Sequence, residues 1–83
     1  ERFGQMLERK QQWTNAIEWY RRGLEVDLLA EQFYQRLMHC YEQLDRRGDA
    51  VEVYRQCYRV MVASLGVEPS DATKAIFKSV RKV

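Results

Sequence analysis

The stretch Asn15-Ala16-Ile17-Glu18-Trp19-Tyr20-Arg21 is close to being written twice. Asp49-Ala50-Val51-Glu52-Val53-Tyr54-Arg55 repeats its small, aliphatic, acidic and aromatic positions 34 residues later. That offset is the period of a solenoid unit made of a helix, a turn and an antiparallel helix. In both copies Tyr follows Ala by four positions, so the two share one helix face. The Ala lets a neighbouring helix approach, and the Tyr covers the same side one turn later. Ala16, Tyr20 and Gly23 extend this into a small–aromatic–small stripe, matched by Ala50, Tyr54 and Cys57. Upstream, Phe3, Gly4 and Leu7 fall opposite Leu37, Met38 and Tyr41. A second unit therefore begins near residue 31, and the first begins at or before residue 1.

Working outward, apolar periodicity predicts an all-α chain of five helices in antiparallel pairs. Phe3, Met6 and Leu7 place a helix over 2–11. Thr14 is the expected N-cap of the next, which runs to about Val26 with Ile17, Tyr20, Gly23 and Leu24 inward. Asp27-Leu28-Leu29 reads as the turn between units, and a third helix spans 30–44. Asp45-Arg46-Arg47-Gly48 reads as the turn inside the second unit, with Gly48 expected at positive φ. The fourth helix, 49–65, carries Tyr54, Cys57 and Met61 on one line and Tyr58, Val62 and Leu65 on another. In the corner Leu65–Ser70, Gly66 fits a helix C-terminus, Pro69 stops the helix and Ser70 can cap a fifth over 71–82. Ala72, Ala75, Ile76 and Val80 are expected to cover the Tyr58–Val62–Leu65 face. The organisation read from this is one domain over 1–83: a partial first repeat (1–29), a second repeat (30–65) and a capping helix (70–83). With no initiating Met and a start inside a helix pattern, the chain reads as a piece of a longer one.

Composition narrows the function. Fourteen basic and 12 acidic residues leave a formal charge of +2, too little for an electrostatic grip on a nucleic acid backbone, so direct DNA binding is not expected. No apolar run approaches the ~18 residues of a membrane span, and a membrane partner is not expected. Cys40 and Cys57 lack a Cys-x-x-Cys spacing and read as reduced, buried hydrophobes, which points to a cytoplasmic setting. His39 with the two thiols offers no fourth zinc ligand at a recognisable spacing. The scattered glycines form no phosphate loop, and no Ser is paired with a base. The expectation is therefore no metal, no cofactor and no enzymatic activity.

Tyr34, Leu37, Tyr41, Ala50 and Tyr54 together resemble the tetratricopeptide repeat. A closer resemblance lies in Phe33–Tyr41, Arg47–Cys57 and the corner Leu65-Gly66-Val67-Glu68-Pro69-Ser70. These are similar to the bacterial transcriptional activation domain, a tetratricopeptide-like module found beside a winged-helix DNA-binding domain in antibiotic-pathway and related regulators. Leu28 after Asp27 and Asp71 after Ser70 depart from that family's usual prolines. The resemblance implies a regulatory protein-interaction module of a transcription regulator, with a generic peptide-binding adaptor as the other reading. The implied partner is a protein: a neighbouring domain, another subunit including a second copy, or transcription machinery. In such a stack the first helix of each pair lines the concave face, which makes Gln5, Glu8, Arg9, Gln35, His39, Glu42 and Gln43 the candidate protein-binding groove. Gln35 and His39 stand where the carboxylate-clamp type of repeat has Lys and Asn, so capture of a peptide C-terminus is disfavoured. Trp19, beside the inward Tyr20, is expected to stand half exposed where a neighbouring element would pack. Trp13 is expected to wrap over the first turn.

Overall fold

A computed structural model describes residues 2–82. They form α1 (Arg2–Arg9), α2 (Trp13–Val26), α3 (Glu31–Gln43), α4 (Arg47–Leu65) and α5 (Asp71–Arg81). Consecutive helices pack as antiparallel pairs of the tetratricopeptide-like kind, with α3 at the centre against α2, α4 and α5.

The turns inside the two pairs are one backbone structure made from different side chains. Gln11 has φ 59° and Asp45, 34 residues on, has φ 58°. The Gln12 N–H donates to the Leu7 carbonyl at 2.9 Å, as Arg46 N–H does to Tyr41 at 2.8 Å. Gln11 N–H donates to Glu8 and Asp45 N–H to Glu42, at 2.8 and 3.0 Å. This is a Schellman closure, in which a left-handed residue just past the helix end satisfies the last carbonyls. The residue in that position is usually Gly, and here it is Gln or Asp.

The closure corrects two expectations. It completes the second reversal at Asp45, so Gly48 does not carry the positive φ and sits inside the first turn of α4. It also delivers Gln12 directly into the N-cap of α2, which starts at Trp13. Thr14 is then within the first turn and caps nothing.

The stripes face inward, with Gly23 and Tyr54 half-buried. Ala16, Tyr20, Ala50 and Cys57 are fully buried, together with Tyr34, Leu37, Met38 and Cys40 of α3. Gly4 permits α1 to lie close on α2, since a Cβ there would stand 2.7 Å from the Tyr20 ring and 2.8 Å from Trp19. Gly23 does the same between α2 and α3, where a Cβ would meet the Phe33 ring at 2.5 Å.

The corner after α4 forms as read: Gly66 takes φ 68°, Pro69 is buried, and Ser70 Oγ accepts from Thr73 N–H at 3.4 Å. The face of α5 differs from the expectation. Thr73 and Val80 are fully buried with Ile76 and Phe77 beside them, whereas Ala72 and Ala75 are exposed. Tyr58, Val62 and Leu65 remain exposed too. The cause lies in Glu31, the first residue of α3. Its carboxylate accepts from Ser70 N–H and Ser70 Oγ, each at 2.7 Å, and from Thr73 Oγ1. These bonds draw the start of α5 over α3. Farther along, Phe77 stacks on Tyr54 of α4 with ring centroids 4.0 Å apart.

Candidate protein-interaction surface

α1 is fastened to α2 and α3 through one carboxylate. Glu8, only 7 % exposed, accepts from Tyr20 Oη at 2.5 Å and from both Nε (3.0 Å) and Nη2 of Arg36. His39 Nε2 stands 3.9 Å from the same group. Burial alone would push the Glu8 carboxyl up, but the hydrogen bonds from Arg36 and Tyr20 and the charge of Arg36 outweigh it and hold it below its usual range. Burial and the Glu8 bond push the Tyr20 phenol up in turn. At the other end of α3, Glu31 is likewise held low: its burial is outweighed by the donors of Thr73 and Ser70.

Both carboxylates are thus saturated by donors within the fold, and neither is poised to move a proton. The thiols are equally quiet. Burial pushes Cys40 and Cys57 each up to about 12, so they stay protonated near neutrality. Among the described residues no group of three or more His, Cys, Asp or Glu is placed to hold a metal ion. None of the described helices is long and apolar enough to cross a membrane.

The residues assigned to a groove by sequence separate into two kinds. Gln5, Arg9 and Gln43 are exposed, and His39 and Glu42 are half-buried. Trp13 meets the His39 ring edge-on at 5.7 Å and so holds it against the first turn of α2. Glu8 and Gln35 are engaged inside the fold instead: Glu8 as described, and Gln35 by donating from Nε2 to Thr73 Oγ1 at 2.8 Å. Glu8 accepts from donors 12 and 28 positions away in the chain, and no local pattern announces that.

A second surface lies along α1 and α2. Phe3 and Trp19 meet edge-to-face at 4.8 Å and are 47 % and 38 % exposed. With Leu7, Gln12 and Asn15 they border a cavity of about 310 Å³. Another of about 240 Å³, bordered by Gly23, Val26 and Phe33, shares Trp19 and Arg22 with the first. The half-exposure of Trp19 is what its place beside a buried Tyr predicted.

The family profile of the bacterial transcriptional activator domain matches residues 1–81. The chain belongs to that family. No curated protein and no solved structure matches it significantly. As a bacterial transcriptional activator domain, the chain is a small all-helical unit.

Proposed function

We propose that this domain is the protein-interaction module of a bacterial transcription regulator, contacting another protein surface to position or relay rather than to catalyse. The family match over residues 1–81 carries this reading. The saturated carboxylates and protonated thiols support it, since a rigid interior with no poised group leaves recognition to the surface. The contact set we assign is Arg9, Glu42 and Gln43, with Gln5 and His39 at its edges. Arg9, Gln43 and Gln5 are exposed and Glu42 is half-buried, whereas His39 is held against Trp13; the set mixes both charge signs with amides, which favours a polar, reversible contact. DNA contact falls to another part of the regulator, and the setting is cytoplasmic.

The test is a promoter–reporter assay on the full regulator carrying Arg9→Glu, Glu42→Arg and Gln43→Glu together. Activation should fall while the regulator's affinity for its operator stays the same. Unchanged activation, alongside a loss on deleting the whole domain, would remove this face from the proposal.

A further inference from the structure

α4 carries a second line of side chains that the fold leaves uncovered. Its buried residues are Ala50, Val53, Cys57 and Met61. Away from them, Gly48, Val51, Arg55, Tyr58, Val62 and Leu65 follow one another at alternating steps of three and four, the 3.5-residue period of a two-helix seam. Val51 is half-buried and the other five are exposed, Val62 by 42 % and Leu65 by 55 %. The steps read the same in both directions. A two-fold axis between Arg55 and Tyr58 therefore sets Gly48 against Leu65, Val51 against Val62 and Arg55 against Tyr58 of an antiparallel copy. Each match is a favourable one. Nothing lies within 4 Å of where a Gly48 Cβ would stand, which leaves room for a leucine. The valines meet, and a guanidinium lies on a phenol ring. Moving the register by one heptad instead sets Arg55 against Leu65 and leaves Gly48 and Val51 unmatched.

We propose that α4 is a self-association helix, pairing antiparallel with α4 of a second copy through Val51, Arg55, Tyr58, Val62 and Leu65. The charges beside the seam carry the choice of partner. Glu52 and Arg59 are exposed, opposite in sign and one heptad apart, on the same flank of the line. The axis that matches the apolar residues also brings Glu52 of each copy toward Arg59 of the other. Such self-complementarity is what a two-fold contact between identical surfaces requires. Within one copy Glu52 meets only Arg55, at 3.2 Å with both side chains largely exposed, and Arg59 has no ion-pair partner among the described residues. The contact is one helix wide and smaller than a standard interface, so the dimer is a weak one, half-formed near about 100 μM. It shares no residue with the Arg9–Glu42–Gln43 set, so either can fail alone.

The test is sedimentation equilibrium of the chain from about 10 μM to about 1 mM, with a monomer–dimer equilibrium expected. Val62→Glu, outside the core, should leave a monomer with an unchanged melting temperature. Glu52→Arg alone and Arg59→Glu alone should each weaken association by about tenfold, because each sets like charges across the axis. The two together should restore it, since the pair then exchanges signs between the copies. Phe3→Ser should leave association unchanged. The proposal is overturned by a monomer at about 1 mM, by a double variant no better than the single ones, or by association that survives Val62→Glu. Association lost in Phe3→Ser would also overturn it and assign the contact to the groove along α1 and α2.

Discussion

Leu37 and Phe3 occupy the same place in two helix pairs built on the same turn, yet one is sealed and the other stands half out of the surface. Val53 and Trp19 repeat the contrast on the second helix of each pair. The backbone of the unit is therefore not what decides burial. Each pair is sealed by its neighbour, as stacked repeats require; α3 packs against α2, α4 and α5, while α1 packs on α2 and reaches α3 through the Glu8–Arg36 pair. Stability should concentrate around α3 and thin out toward α1.

The largest test of that gradient is removal of the neighbour on the far side. Deleting residues 70–83 strips Val80 and Thr73 from the core and releases Glu31. The truncated chain should lose its cooperative melt by circular dichroism, and a monomer with an unchanged midpoint would make α5 an appendage. Next comes the matched pair itself. Leu37→Ala should cost about 2–5 kcal/mol in chemical unfolding, the usual range for a buried leucine. Phe3→Ala, half-exposed already, should cost below about 1 kcal/mol. Equal costs would break the comparison.

Two glycines sharpen it with opposite signs. Gly23→Ala drives a Cβ against the Phe33 ring and should lower the melting temperature despite the gain in helix propensity. Gly48→Ala meets nothing within 4 Å and should stabilise by up to about 1 kcal/mol.

The smallest effect is a pH dependence shared by the two carboxylate fasteners. Glu8 and Glu31 titrate below their ordinary 4.5 in the folded chain, so the unfolded chain takes up protons first on acidification. Their contribution is fully present above about 4.5 and is lost as pH falls through the folded values. Melting temperatures should decline over that window, and Glu31→Gln should flatten the decline. Added salt should weaken the Glu8–Arg36 pair only slightly, because the Glu8 carboxylate is buried away from the ions, and should leave the neutral donors of Glu31 untouched.

The period, the five helices and the Ser70 cap were legible because each is local: a stripe every few residues, or a cap at its helix end. The left-handed residues at Gln11 and Asp45 were not, since neither is the Gly that usually marks the place, and nearby Gly48 drew the reading instead. The face of α5 failed for another reason. Hydrophobicity ranks Ala72 and Ala75 above Thr73, but the Thr73 hydroxyl bonds Glu31, 42 positions away, and that contact sets the rotation. Of the surface, the exposure of Trp19 could be read from its neighbour Tyr20. The burial of Glu8 could not, because its donors converge only after three helices have met.

The central position of α3 also bears on how fast the chain finds its fold. Every substantial helix contact is between sequence neighbours or, for α3 with α5, next-nearest ones. Such a topology closes only short loops before its contacts form, and chains of low contact order fold in microseconds to milliseconds. The slower step should be the docking of α5, whose bonds from Ser70 and Thr73 need the first turn of α3 already wound around Glu31. Unfolding should begin from the other end, with α1 peeling away first.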